Sequence, residues 1–235
     1  MSGTGATTPE ADNRVGLQSD PGSDGGPLAD LTTPRVEPWR DGAPPDDDGL
    51  ARILAVAATV PDHGGLRPWR FAVVRGEGRD RWGDVLVSGL HQTKGDDLPE
   101  AVVAKMRGKA FAAPCSVVLI ASPDRTSNVP VWEQVASASC TGYAIVLAAV
   151  GLGYGAVWKS AAVLDAPAVR SFFSLTADEQ LLGWVNLGTP DPAGRRPSTK
   201  EPADLRHLVT VIEAGEHPFD PGSGPSSTTG ARSIS

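Results

Sequence analysis

The order of segments along the chain predicts a layered domain of the α/β or α+β class. Three observations carry this reading. Cys115 to Ala121 (CSVVLIA) is a short continuous apolar run, as expected of a central strand covered on both faces. Segments with helical spacing of apolar residues stand before and after it. A long stretch from about Trp132 to Val150, rich in small residues, is apolar nearly all round. A helix of that kind must be buried on all sides, either in the domain core or against a second subunit.

The elements follow in order. PPDDDGLARILAVAATVPDH reads as a helix capped by Asp46 or Asp47, with Leu50, Ile53, Leu54 and Ala57 in an i, i+3, i+4, i+7 stripe. Pro61 stops it, because the residue before a proline avoids the α region. Trp69 to Arg75 is a strand. A second helix places Trp82, Val85, Leu86 and Leu90 on one face, and a weaker third covers about 98–109. After the central strand and the long helix, GLGYGAVWKS turns into a strand, with Gly151 as the helix C-cap. LDAPAVRSFF is a short helix, and Thr176 and Glu179 have capping-box spacing for one more turn. Leu181 to Leu187 is a strand; Leu208 to Ile212 is strand-like and detached from the rest.

A 235-residue chain that is 40% hydrophobic can bury a real core as one ordinary domain or two small ones. Residues 1–30 and 216–235 are poor in large apolar side chains and read as disordered tails around a unit at 31–215. A net charge of −7 argues against a nucleic-acid footprint, which needs a basic face. The first residues lack the basic and apolar regions of a secretory signal. The longest apolar stretch, around 144–150, is too short to span a bilayer. The expectation is a soluble cytoplasmic protein with neither membrane nor nucleic-acid partner. Cys115 and Cys140 sit in apolar runs and read as buried free thiols; no Cys/His spacing suggests zinc or another metal.

The glycines of GLGYGAVW stand after a helix and before a strand, the reverse of the dinucleotide fingerprint. Phosphate-loop and hydrolase-elbow motifs are absent from the sequence. His63 fits either an acid/base or ligand contact or a surface histidine bonded to backbone. Arg67 fits either an anion contact or a solvated arginine packed on Trp69. Trp158-Lys159-Ser160 ends a strand, where Lys and Ser can meet a phosphate or simply face water.

Several landmarks occur together: PDH-x-x-x-x-PW-x-F (Pro61 to Phe71), VVRGEGRDRW (73–82), VPVWEQ (129–134), GYGAVWKS (153–160) and GWVNLGTP (183–190). As a set they resemble the nitroreductase family of FMN flavoproteins, most closely a small bacterial NAD(P)H-linked branch, over about residues 35–190. The resemblance implies an α+β nitroreductase-like fold, with a central, mostly antiparallel sheet surrounded by helices, in an obligate homodimer. The 132–150 helix would be the dimer helix, and LVTVI would pair with the partner's sheet. Two FMN molecules would lie in the interface, with residues from both chains.

Matched motif by motif, Thr59 and His63 fall on flavin-contacting loop positions, and Trp158, Lys159 and Ser160 on the strand-end contact. Gly64 and Gly65 let backbone pass close to a flat cofactor. Arg67 stands where many relatives have glutamine, and it can still donate to flavin carbonyls. The family's R-R-S phosphate site is here Pro34-Arg35-Val36, so Arg35 alone remains, with Arg40 close by in sequence. The activity implied is flavin-dependent transfer of electrons from NADH or NADPH to a small oxidised acceptor, of nitroaromatic or quinone type, by a ping-pong cycle. No side-chain nucleophile is implied, and Glu133 and Gln134 are placed near the substrate side. The altered phosphate site keeps a second reading open: a non-catalytic or cofactor-depleted dimeric flavin- or ligand-binding relative.

Overall fold

Every residue of the strand Cys115–Ala121 (β2) is buried, because it has neighbours on both edges and helices over both faces. The structure, a computed structural model, describes residues 37–190, 205–212 and 216–218. Its contacts divide the chain into two units, residues 1–198 and 199–235.

In the first unit, Trp69–Arg75 (β1), β2, Gly155–Lys159 (β3) and Gln180–Gly188 (β4) form one sheet in the order β1-β2-β4-β3. All three pairings are antiparallel. Side chains alternate across the sheet with period two, and each face carries its own core. Against one face lie Asp47–Ala57 (α1) and Val131–Gly151 (α4), whose Leu50, Ile53, Ala57, Ile145 and Ala149 meet Val117, Leu119, Val185 and Leu187. Over the other lie Gly78–Lys94 (α2), Glu100–Gly108 (α3) and Pro167–Phe172 (α5). There Trp82, Leu86, Leu90 and Val169 enclose Val118, Ile120 and Trp184. Trp82 and Trp184 meet edge-to-face at 5.7 Å between ring centroids. The result is the α+β arrangement of an antiparallel sheet between helical layers.

The expected helices and strands are present, with adjustments at their ends. Asp46 caps α1, accepting from the Gly49 N–H at 2.7 Å. The α4 helix ends in a Schellman motif: Tyr154 N–H donates to Ala149 O and Gly153 N–H to Val150 O, both at 2.9 Å. The left-handed residue is therefore Gly153, at φ 84°, and not Gly151, which is the last helical residue. Thr176 and Glu179 make no helical turn. Glu179 does reach back to the Thr176 N–H at 3.0 Å, as in half a capping box, but the chain goes straight on into β4.

In α4 the structure departs from the core alternative and leaves the second-subunit alternative open: Trp132 is 71% exposed and Tyr143 54%. Cys140 lies on the same outward stripe and is exposed, whereas Cys115 is buried as expected. An apolar run marks a helix that avoids water, but among the described residues the cover lies on the face turned to the sheet. Burial pushes the Cys115 thiol up to about 11, with Arg75 opposing weakly. By length and composition α4 could cross a membrane. Its Glu133, Gln134 and Thr141 and its packing on the sheet make it a core helix of this fold.

The second unit contains a hairpin, Thr210–Ile212 (β5) with Glu216–Pro218 (β6). Leu208 and Val209 precede the strand instead of belonging to it. Residues 216–218, placed in a tail by composition, pair instead, because three backbone partners suffice for a short ladder without a large apolar side chain. The proposed 1–30 tail and Arg35 lie outside the described residues.

Candidate active site

The loop between α1 and β1 is a built turn. Thr59 follows the helix end and is exposed, its Oγ1 donating to Val56 O at 2.8 Å. His63, Gly64 and Gly65 form a short 3₁₀ turn, with Gly64 at φ 78° and Gly65 at φ 65°. Arg67 follows at φ 49°, one of two non-glycine residues with positive φ among those described. Asp62 Oδ2 accepts from the Arg67 N–H at 2.5 Å and holds this conformation. His63 and Arg67 both project into solvent.

The first turn of α4 meets this loop. His63 Nδ1 lies 3.4 Å from Glu133 Oε2, an ion pair when the imidazole is protonated, with His63 68% and Glu133 34% exposed. The neighbouring Gln134 turns the other way. It is 1% exposed, and its amide is committed to backbone. Its Oε1 accepts from Asp124 N–H at 2.8 Å, and its Nε2 donates to Asp124 O and Val129 O, both at 2.9 Å. Val129 in turn stands 3.6 Å from where a side chain at Gly64 would begin. Gln134 therefore shapes the wall behind the His63 turn.

At the end of β3, Trp158 commits its indole to the core. The ring packs towards Gly142 and Leu119, and Nε1 donates to Leu182 O at 3.3 Å. Lys159, directly opposite Trp184, points to the other face and lies 3.5 Å from Glu37. Ser160 is exposed. Lys159, Lys105, Lys109, Trp184 and Asn186 line a cavity of about 260 Å³. Asn186 is buried, and its Oδ1 accepts from Ser116, which leaves its amide nitrogen as a donor. The buried Trp184 Nε1 has no hydrogen-bond partner among the described residues. Three lysine ammonium groups, one of them 3.5 Å from Glu37, together with the Asn186 amide and no carboxylate in the lining, fit an anionic ligand rich in acceptors, such as a flavin mononucleotide. The volume suits part of such a ligand. A second cavity of about 550 Å³ beyond Ser160 holds Arg125 and Arg170, but Asp178 and Asp165 already pair them.

Lys105, Lys109 and Asn186 were not legible as site residues. Their only signal is the convergence of α3, its following turn and β4 around Lys159, which is a tertiary fact. Equally tertiary is the separation of the two halves. The loop 59–67 leads into β1 and Lys159 ends β3, the opposite edge strands of the sheet. Three strand spacings amount to about 14 Å. One chain brings His63 to Glu133 and Lys159 to the cavity, but it does not bring His63 to Lys159.

The family model "Nitroreductase family" matches residues 41–189. This chain belongs to the nitroreductase family. YdjA of Escherichia coli (strain K12), described as a candidate NAD(P)H nitroreductase, is 36% identical over 146 residues, 62% of this chain and 78% of that protein. A Haemophilus influenzae protein of the same description is 31% identical over 160 residues, 68% of this chain and 85% of its own length. Among solved structures, a nitroreductase-like protein from Bacillus cereus superposes with TM-score 0.65 at 21% identity, covering 81% of this chain and 98% of that one. A nitroreductase of Desulfovibrio desulfuricans, solved in complex with FMN, superposes with TM-score 0.58 at 20% identity, covering 84% and 100%. These likenesses establish the nitroreductase fold for the first unit, with the family match spanning α1 to the end of β4.

Proposed function

We propose that this nitroreductase-family chain is an FMN-dependent oxidoreductase. It passes electrons from NADH or NADPH to a small oxidised organic acceptor, of nitroaromatic or quinone type, and works as a homodimer in the cytoplasm without membrane or nucleic-acid partners. The observation that carries this reading is the lysine cavity beside Lys159, lined by donors and by no carboxylate. The names of relatives and the FMN complex of a structural neighbour agree with it.

When bound, FMN would supply the redox chemistry, accepting hydride from NAD(P)H and returning electrons to the acceptor in a ping-pong sequence. The chain binds, orients and tunes. Lys105, Lys109 and Lys159 would hold phosphate and carbonyl oxygens as point charges, with Asn186 as a neutral donor. Trp158 would present backbone, since its indole is already engaged, and Ser160 a hydroxyl. Arg35 would add a further cation to the phosphate. Thr59, His63 and Arg67 would meet the ring, with Arg67 placing a cation where negative charge accumulates. No side chain serves as nucleophile, and no metal is required.

A second copy of the chain would complete the site. It would carry its own 59–67 loop to the cavity that this chain's loop does not reach. The outward stripe of α4 (Trp132, Ala136, Cys140, Tyr143) supplies an apolar face for that copy. The test is the visible absorption spectrum of the purified protein, before and after excess FMN and desalting. Flavin bands at about one FMN per chain support the flavoenzyme. A colourless protein that retains no FMN overturns it in favour of a cofactor-depleted relative.

A further inference from the structure

Arg67 is out of place by local rules. It precedes Pro68, a position that favours extended backbone, yet its φ is 49°. That left-handed conformation crowds a side chain that has a Cβ, so something outside the residue must hold it. The contacts are specific. Asp62 Oδ2 accepts from the Arg67 N–H at 2.5 Å, a charge-assisted bond. Trp69 N–H donates to Arg67 O at 2.7 Å, and Gly65 N–H to Asp62 O at 3.3 Å. The glycines at 64 and 65 also have positive φ, and there it is free of strain. At Arg67 it is not, and a glycine there would have served the turn alone. What the strained residue delivers is its side chain. The guanidinium is exposed, and among the described residues it has no hydrogen-bond partner.

We infer that Asp62 is a positioning residue for the site. Its carboxylate locks the backbone of Arg67 so that an unpaired guanidinium is presented to the ligand before the ligand arrives. Preorganisation of this kind raises affinity by removing the cost of ordering a long side chain on binding. The carboxylate acts through the backbone N–H and leaves the guanidinium unneutralised for an electron-rich, acceptor-bearing ring. Other charged groups of the turn and its neighbours are His63 and Glu133, which pair with each other and not with Arg67. The assignment rests on the proposed flavin site for its ligand, but not for its geometry.

The test is a double-mutant cycle with two readouts. In Asp62→Ala, FMN should bind about tenfold more weakly and the midpoint potential of the bound flavin should fall. Asp62→Asn, which keeps an acceptor oxygen, should restore both. Arg67→Gly should reproduce the loss, since glycine holds the turn without the cation. Adding Asp62→Ala to Arg67→Gly should then change neither affinity nor potential. A further loss of the same size in the Arg67→Gly background overturns the proposal, because Asp62 would then act independently of Arg67. The second readout needs no flavin: a crystal structure of Asp62→Ala should show residue 67 outside the left-handed region. Retention of a positive φ there overturns the proposal by itself. Failure of the unaltered protein to bind FMN overturns instead the flavin reading on which the ligand half depends.

Discussion

Arg70 on β1 and Glu179 before β4 form a two-pronged ion pair, Nε to Oε1 at 2.6 Å and Nη2 to Oε2 at 2.9 Å. Arg70 also donates to Phe173 O, and Glu179 accepts from the Thr176 N–H. The pair therefore fastens the turn before β4 to an edge strand that is not its sheet neighbour. The hydrogen bond from Arg70 holds the Glu179 carboxyl at about 2, against the opposing effect of burial, with the Thr176 N–H helping. A carboxylate held below its ordinary value stabilises the fold above that value and loses the contribution as pH falls towards the folded one. Stability should therefore decline between about pH 5 and pH 2. In Glu179→Gln this part of the decline should vanish and stability at neutral pH should drop by about 2 kcal/mol. That is less than for a fully buried pair, because water reaches Arg70. Urea unfolding of both proteins across that pH range measures both effects.

Gln134 should matter for the loop and not for the chemistry. Its amide satisfies three backbone groups at Asp124 and Val129 from a fully buried position. Gln134→Leu fills the same space and leaves those groups unpaired, at a cost of about 2–4 kcal/mol. Hydrogen exchange should show amide protection lost between residues 124 and 130, with the core of β2 unchanged. Protection that stays intact there would remove the clamp.

What the sequence made legible follows from the range of the physics. The strands at Trp69 and Cys115 begin and end as read, because apolar runs and their flanks are local signals. The α1 cap and stripe are local in the same sense. The landmark set pointed to the right family, and the antiparallel sheet follows from it. The burial of Gln134 was not legible, because a glutamine beside a glutamate in a helix has no local mark of burial. The lysine cavity was half seen, through Lys159. Lys105 and Lys109 look like ordinary solvated helix residues until β4 places Asn186 beside them. Asp62 carries no local mark, since its role depends on a backbone angle five residues later.

Charge reversal separates the cavity from the fold. Lys159 is one-third exposed at a strand end, 3.5 Å from Glu37. Lys159→Glu should lower thermal stability by about 1 kcal/mol or less, since it turns a partly exposed pair with Glu37 into a repulsion. FMN retention should fall by more than about a hundredfold, because one favourable charge becomes a repulsive one against phosphate. His63→Ala should weaken FMN by less, about tenfold, since it removes a partly solvated contact. Equilibrium dialysis with FMN checks both, and equal affinities for parent and Lys159→Glu would move the phosphate elsewhere.

The outward stripe of α4 makes the last prediction. Trp132, Ala136, Cys140 and Tyr143 recur at helical spacing on an exposed face of the helix. A helix with apolar residues on both sides is stable only if both are covered. The sheet covers one, and the proposed homodimer covers the other. Ala136→Arg places a charge in the middle of the stripe without touching the face packed on β2 and β4. Sedimentation should show a dimer for the parent and a monomer for the variant, with far-ultraviolet circular dichroism unchanged. FMN should be lost together with the dimer, because the 59–67 loop and the lysine cavity lie at opposite edges of one chain's sheet. A monomeric variant that kept full flavin would place the whole site within one chain and overturn the shared-site reading.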